Sequence, residues 1–141
     1  MNKISRIVTL IMCWSTCVIV TGCSFKLTNT VWCNAMPSEV EGMTANVINS
    51  VYFLRDNHVS FNTCVKKDTT VILPQTTTAL GTYTSSGSLR KGIHLDIETF
   101  DEYGLRKHTE AVVNKYGLFI SDTDSTSTVY FLVSNIKIKG N

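Results

Sequence analysis

The sequence predicts an all-β protein: an up-and-down antiparallel meander closing into a small barrel of about eight strands, carried behind a cleavable leader. Three observations predict it. Past residue 27 the apolar set is dominated by β-branched and aromatic residues, with threonine runs such as Thr76-Thr77-Thr78, a composition suited to a pleated, half-buried surface. Apolar and polar residues alternate with period two, and no window longer than about ten residues carries a helical stripe. Turn-forming residues recur at the spacing of short strands, the pattern of a sandwich or barrel. The 141 residues, 43% apolar and 17% charged, suit one domain. They are too apolar for a disordered chain and lack the apolar runs of a polytopic membrane protein.

The first element is the leader. Lys3 and Arg6 precede a mostly apolar stretch, Ile7 to Val20, followed by Thr21-Gly22-Cys23. This is the layout of a secretory signal. Fourteen residues of helix rise only about 21 Å, short of the ~30 Å hydrocarbon core, so a permanent spanning helix fits less well. Val20-Thr21-Gly22-Cys23 resembles a bacterial lipobox, in which Cys23 is lipidated and becomes the mature N-terminus. The alternative is an ordinary secretory signal with Cys23 incidental. The expected organisation is a signal peptide over 1–22, the lipidated cysteine and a short tether over 23–26, and the barrel over 27–141.

Cleavage removes Lys3 and Arg6, so 13 basic side chains become 11 against 11 acidic ones. A neutral domain without a basic run argues against nucleic-acid binding, which rests on phosphate neutralisation. Net neutrality equally offers no attraction to acidic lipid headgroups, leaving the anchor as the membrane link. Cys13 and Cys17 leave with the leader, and Cys33 and Cys64 remain. An even pair in an exported domain is a disulfide candidate. Closing that loop of about 32 residues would stabilise by roughly 3–4 kcal/mol. Two separate buried thiols are the alternative.

Strands are expected near Thr28–Cys33, Val47–Leu54, Val59–Lys66, Ala79–Ser85, Gly92–Phe100, Arg106–Val113, Leu118–Ser121 and Val129–Ser134. Glu39 to Asn49 is the one candidate for a helical turn. Asp101-Glu102-Tyr103-Gly104 reads as a turn that sets Ile97 opposite Thr109, Leu95 opposite Ala111 and Ile93 opposite Val113. These form one inward face, and a one-residue slip is expected to bring Lys107 and Asp96 onto it. Arg55-Asp56-Asn57 reads as a three-residue loop that sets Val51 opposite Phe61 and Phe53 opposite Val59. Asn114 to Gly117 makes a third turn. The stretch Lys67 to Thr78, with Pro74, reads as an insert longer than a hairpin needs. The tail Ile136-Lys137-Ile138-Lys139 is a candidate for a further edge pairing discouraged from association by its lysines.

The series Leu27-Thr28-Asn29-Thr30-Val31-Trp32-Cys33, the hairpin about Asp56-Asn57, Gly81-Thr82-Tyr83, the alternating Ile93–Ile97 strand and Val129-Tyr130-Phe131-Leu132 resembles the small lipocalin-like lipoproteins of Bacteroidetes. The resemblance covers most of residues 27–135 and implies an eight-stranded up-and-down barrel behind a lipobox. The Gly-x-Trp of lipocalins is replaced here by Asn29 and Trp32 at a wider spacing. By the same analogy, Ser24 after the lipidated cysteine and the lack of an acidic surface-export signature imply an outer-membrane lipoprotein facing the periplasm.

A catalytic constellation is harder to find. No serine lies in a Gly-x-Ser-x-Gly elbow, and there is no phosphate loop and no Cys-x-x-Cys. His94, Asp96 and Glu98 alternate on one strand face near His108, a set whose residue types could hold a divalent metal, but alternation opposite the Ile93/Leu95/Ile97 face makes it an outward polar ladder pairing across the hairpin. Glu39/Glu41 and Asp122/Asp124 read as solvated loop carboxylates. Trp32, Phe53, Phe61 and Tyr83 either fill the barrel or line an apolar pocket. The expected protein is therefore a monomeric, membrane-anchored, non-enzymatic envelope lipoprotein without cofactor or metal, taking a small apolar ligand or acting as an accessory protein. The alternative is a protein-interaction or inhibitor module using the 66–78 loop, whose partner is an envelope protein.

Overall fold

A computed structural model describes residues 25–121 and 126–135, and within them eight antiparallel strands follow one another around a closed barrel. They are β1 (Thr30–Val40), β2 (Met43–Phe53), β3 (His58–Lys67), β4 (Thr70–Ser88), β5 (Gly92–Asp101), β6 (Arg106–Asn114), β7 (Gly117–Ser121) and β8 (Ser127–Asn135). β8 returns to β1 over Thr30–Cys33 and closes the ring. Residues 1–24 with Cys23, the pair Asp122/Asp124 and the tail 136–139 lie outside the described residues.

Alternation builds the core. Ile93, Leu95 and Ile97 of β5 face Val113, Ala111 and Thr109 of β6, the register expected from the Asp101–Gly104 turn. Val51 faces Phe61 and Phe53 faces Val59, set by a three-residue turn in which Asp56 and Asn57 both take positive φ. Asp101 also caps its own turn, its Oδ1 accepting from Tyr103 N at 2.9 Å and Leu105 N at 2.8 Å. These inward aliphatics join Leu27, Trp32, Tyr83, Leu118 and Ile120 in one cluster. The tightest approach that needs glycine is at Gly81, where a Cβ would run into the Glu98 carbonyl oxygen. The bare Cα lets β4 press against β5.

The strands differ from expectation in three places. Glu39–Asn49 holds no helical turn. β1 runs on to Val40, and Glu41 and Gly42, both at positive φ, make a two-residue hairpin into β2. Secondly, Lys67–Thr78 is not a loop. After a turn at Asp68-Thr69, β4 starts at Thr70 and pairs with β3, with register shifts between Phe61 and Asn62, Thr63 and Val65, and Val65 and Lys66. Pro37 and Pro74 masked both strands in the sequence. Each sits where one edge of its strand has no neighbour among the described residues: β1 meets β8 only through Cys33, and β4 meets β5 only from Ala79. A missing N–H costs no ladder bond at such an edge. Thirdly, β1 begins at Thr30 after Asn29 takes φ 63°, which leaves Cys33 inside the strand and not at its rim.

The meander therefore has two unlike ends. The near end holds the chain entry at Phe25 and the turns 54–57, 89–91 and 115–116. The far end holds the turns 41–42, 68–69 and 102–105, with β1–β4 rising as a tall wall on one side.

Candidate functional site

The barrel interior is filled over its near half. Trp32, Phe53 and Tyr83 are 3%, 0% and 4% exposed, and Phe53 and Tyr83 meet edge to face with centroids 5.1 Å apart. Trp32 Nε1 donates to Thr30 Oγ1 at 2.9 Å, and that hydroxyl donates in turn to the Leu27 carbonyl. Three of the four aromatic residues considered for a pocket are thus core. Phe61 is the exception.

Phe61 borders a cavity of about 210 Å³ at the far end, with Ala79, Thr99, Lys107, Thr109, Ile120 and Tyr130 around it and Thr78 at the margin. Strand alternation explains the lining. Thr99 is two residues beyond Ile97 on β5, and it pairs with Lys107, two residues before Thr109 on β6. The inward face therefore changes along its length from aliphatic to hydroxyl to ammonium. Thr99 and Thr109 are buried, whereas Lys107 is exposed at the mouth. Lys107 was expected on the inner face only after a register slip. It is there in the native register, because the alternation carries on past the filled section to where the barrel opens and a charge can stay hydrated.

Beside the mouth, β1–β4 contribute two further inward rows. Asn34, Asn49, Thr63 and Thr76 pair successively across the four strands, and Met36, Val47, Val65 and Leu73 do so one pleat farther out. Thr63 Oγ1 donates to Asn49 Oδ1 at 2.9 Å, and Asn34 Nδ2 donates to the Val129 carbonyl at 2.7 Å. Asn34 Oδ1 is buried with no hydrogen-bond partner among the described residues. An unmet buried acceptor costs about 1–3 kcal/mol, so this atom favours a donor group arriving next to Tyr130 and the mouth.

On the outer wall, Glu98 pairs with Arg106 at 2.7 Å, and Asp96 lies 3.5 Å from His108. Two carboxylates of the β5 ladder thus face a guanidinium and an imidazole across the hairpin, and among the described residues no three His, Cys, Asp or Glu side chains converge. The cysteine bridge weighed from the sequence is not formed: Cys33 and Cys64 are free thiols. Cys33 stands opposite Ser50 and Cys64 opposite Ile48, so β2 runs between them. Two interstrand spacings, about 9.5 Å, exceed the Cα separation of roughly 4.4–6.8 Å that a disulfide spans. Burial pushes the Cys33 thiol above its ordinary pKa by disfavouring the thiolate.

Sequence reasoning missed Thr99, Lys107, Thr109, Ile120, Tyr130 and Asn34. Extending the Ile93–Ile97 alternation by one step in each strand would have found Thr99 and Lys107. The architecture and cavity define the class, a closed antiparallel meander barrel with a small mixed-polarity mouth. Comparison of the chain with protein-family models, with curated proteins and with solved structures finds no match.

Proposed function

We propose that this chain is a non-enzymatic, lipocalin-like binding lipoprotein of the bacterial envelope, anchored through Cys23, which takes a small ligand at the far-end mouth. The observation that carries the reading is the cavity between Phe61 and Tyr130, with apolar walls below and Thr99, Thr109 and Lys107 above. Its volume of about 210 Å³ is below the ~300–1,000 Å³ of ordinary ligand pockets. The ligand is thus small, or inserts only one end. Phe61 and Ile120 suit an apolar body. The hydroxyls and the ammonium suit a carbonyl or carboxylate head. Native mass spectrometry of residues 24–141 from a gently lysed cell tests the reading. A co-purifying mass released on denaturation, and reduced in Phe61→Ala and Lys107→Gln, is the expected result. A bare mass that takes up neither octanoate nor octanol on titration would refute it.

A second reading, a protein-interaction or inhibitor module, is favoured by one observation. Among the described residues β4 pairs over Thr70–Thr78 only with β3, and Val71 and Leu73 are 51% and 53% exposed. An open strand edge beside exposed apolar side chains can accept an extended segment of a partner. Under this reading an envelope protein co-purifies with the wild-type chain and is lost from Leu73→Lys, while the mouth variants retain it.

A further inference from the structure

The net neutrality of the domain conceals a separation of charge between its two ends. Among the described residues, the near-end segments carry Lys26, Arg55, Arg90, Lys91 and Lys115, five cations, against Asp56 alone. The far-end turns carry Glu41, Asp68, Asp101 and Glu102, balanced by Lys66, Lys67, Arg106 and Lys107 on the strand ends beside them, so the excess of positive charge is at the near end alone. The topology makes this separation. Chain entry and alternate turns share an end, so basic residues spread along the sequence gather there.

Three of the cations surround one hollow. Arg90, Lys91 and Lys115 line a concavity of about 930 Å³ together with Phe25, Leu89 and Tyr116, and no carboxylate lines it. All three cations are exposed, and the Tyr116 ring is 68% exposed with Lys115 Nζ 4.9 Å from its centroid. Exposed cations next to a half-wet aromatic ring and apolar side chains match the layered chemistry of a bilayer interface.

We propose that the near end is a docking surface for anionic phospholipid headgroups, whose phosphates seat among Arg90, Lys91 and Lys115 with Tyr116 at the interface. The proposal adds an orientation to the reading of Cys23 as the lipidated residue and rests on it for its cellular setting. Cys23 stands two residues before Phe25, a reach of at most about 7 Å, so a lipid there holds this same end at the headgroup layer. With the near end on the membrane, the mouth at Lys107 and Tyr130 faces away from it.

Vesicle co-sedimentation of residues 24–141, which contain every residue of the hydrophobic core, tests docking without the lipid. Vesicles of phosphatidylcholine with about one-third phosphatidylglycerol are compared with phosphatidylcholine alone. Binding is expected only to the anionic vesicles and is expected to weaken with salt. Each basic residue near such a surface contributes about fivefold to the partition constant, so Arg90→Gln with Lys91→Gln is expected to lose about 25-fold. Lys66→Gln with Lys67→Gln removes the same charge at the far end and is expected to leave binding unchanged. Equal losses in the two double variants, or no preference for anionic vesicles, would overturn the proposal. The anchor is judged separately by the mass of the processed full-length chain: an unmodified Cys23 removes that reading and leaves the vesicle result standing.

Discussion

The two halves of the barrel share most of their strands but solve opposite problems. Toward the near end the inward positions are Ile93, Leu95, Ile97, Val113 and Leu118, all buried around Phe53 and Tyr83. Toward the far end the same faces continue as Thr99, Thr109, Lys107, Asn49 and Thr63, and the short strands β5–β8 stop while β1–β4 go on. A pleat continued past the point where opposing side chains can meet exchanges core for cavity. Stability and recognition are thus placed in series along one set of strands.

The most severe break lies at the seam between β4 and β5. Gly81→Ala puts a methyl against the Glu98 carbonyl, which neither backbone can yield without parting β4 from β5. The expected outcome is a chain that fails to reach the native near-ultraviolet dichroism. A native spectrum and unchanged melting would contradict the seam as described. Next, Phe53→Ala and Phe61→Ala compare the halves directly. Phe53 is fully buried, and its truncation should cost about 3–5 kcal/mol in urea unfolding. Phe61 is only half-buried against the cavity, so its loss should cost less than half as much and fall mainly on ligand uptake. Comparable destabilisation by both would mean that the far half is core as well.

Thiol chemistry makes a finer comparison. Burial raises the Cys33 pKa, and Cys64 is a free thiol on the other side of β2. At pH 8 a maleimide should label Cys33 more slowly in the folded chain than in denaturant. The protonated thiol is favoured by folding, so the Cys33 contribution to stability is complete below the unfolded-chain thiol pKa and declines as pH rises above it. A Cys33→Ser variant should lose that alkaline decline. A mixture containing intramolecular disulfide would contradict the strand order around β2. The smallest effect is expected at the outer ladder: Arg106→Ala breaks a pair whose side chains are 68% and 37% exposed, and should change stability by no more than about 1 kcal/mol.

Local rules read well wherever a turn determines a register. Asp101–Gly104 and Arg55–Asn57 bind their own backbone or take positive φ, and the pairings around them follow from two-residue periodicity alone. Reading failed where a local signal depended on a distant edge. Pro37 and Pro74 resemble strand breakers until the absence of a neighbour on one side is known, and Glu41-Gly42 is a hairpin only because β1 and β2 continue to pair up to it. The candidate site fared similarly. Phe61 was legible as an inward aromatic, but whether an inward position is core or cavity depends on what stands opposite across the barrel.

The sequence by itself determined the strand class, the meander order, two hairpin registers and the inward aliphatic face, because period-two alternation and turn chemistry act over a few residues. Only the tertiary structure decided which aromatics are buried, that Lys107 enters the mouth, that β2 separates Cys33 from Cys64, and that the basic turns share an end. Those are properties of closure. A strand pair sets its register locally, but depth along the barrel axis and the company of distant turns exist only once β8 has met β1.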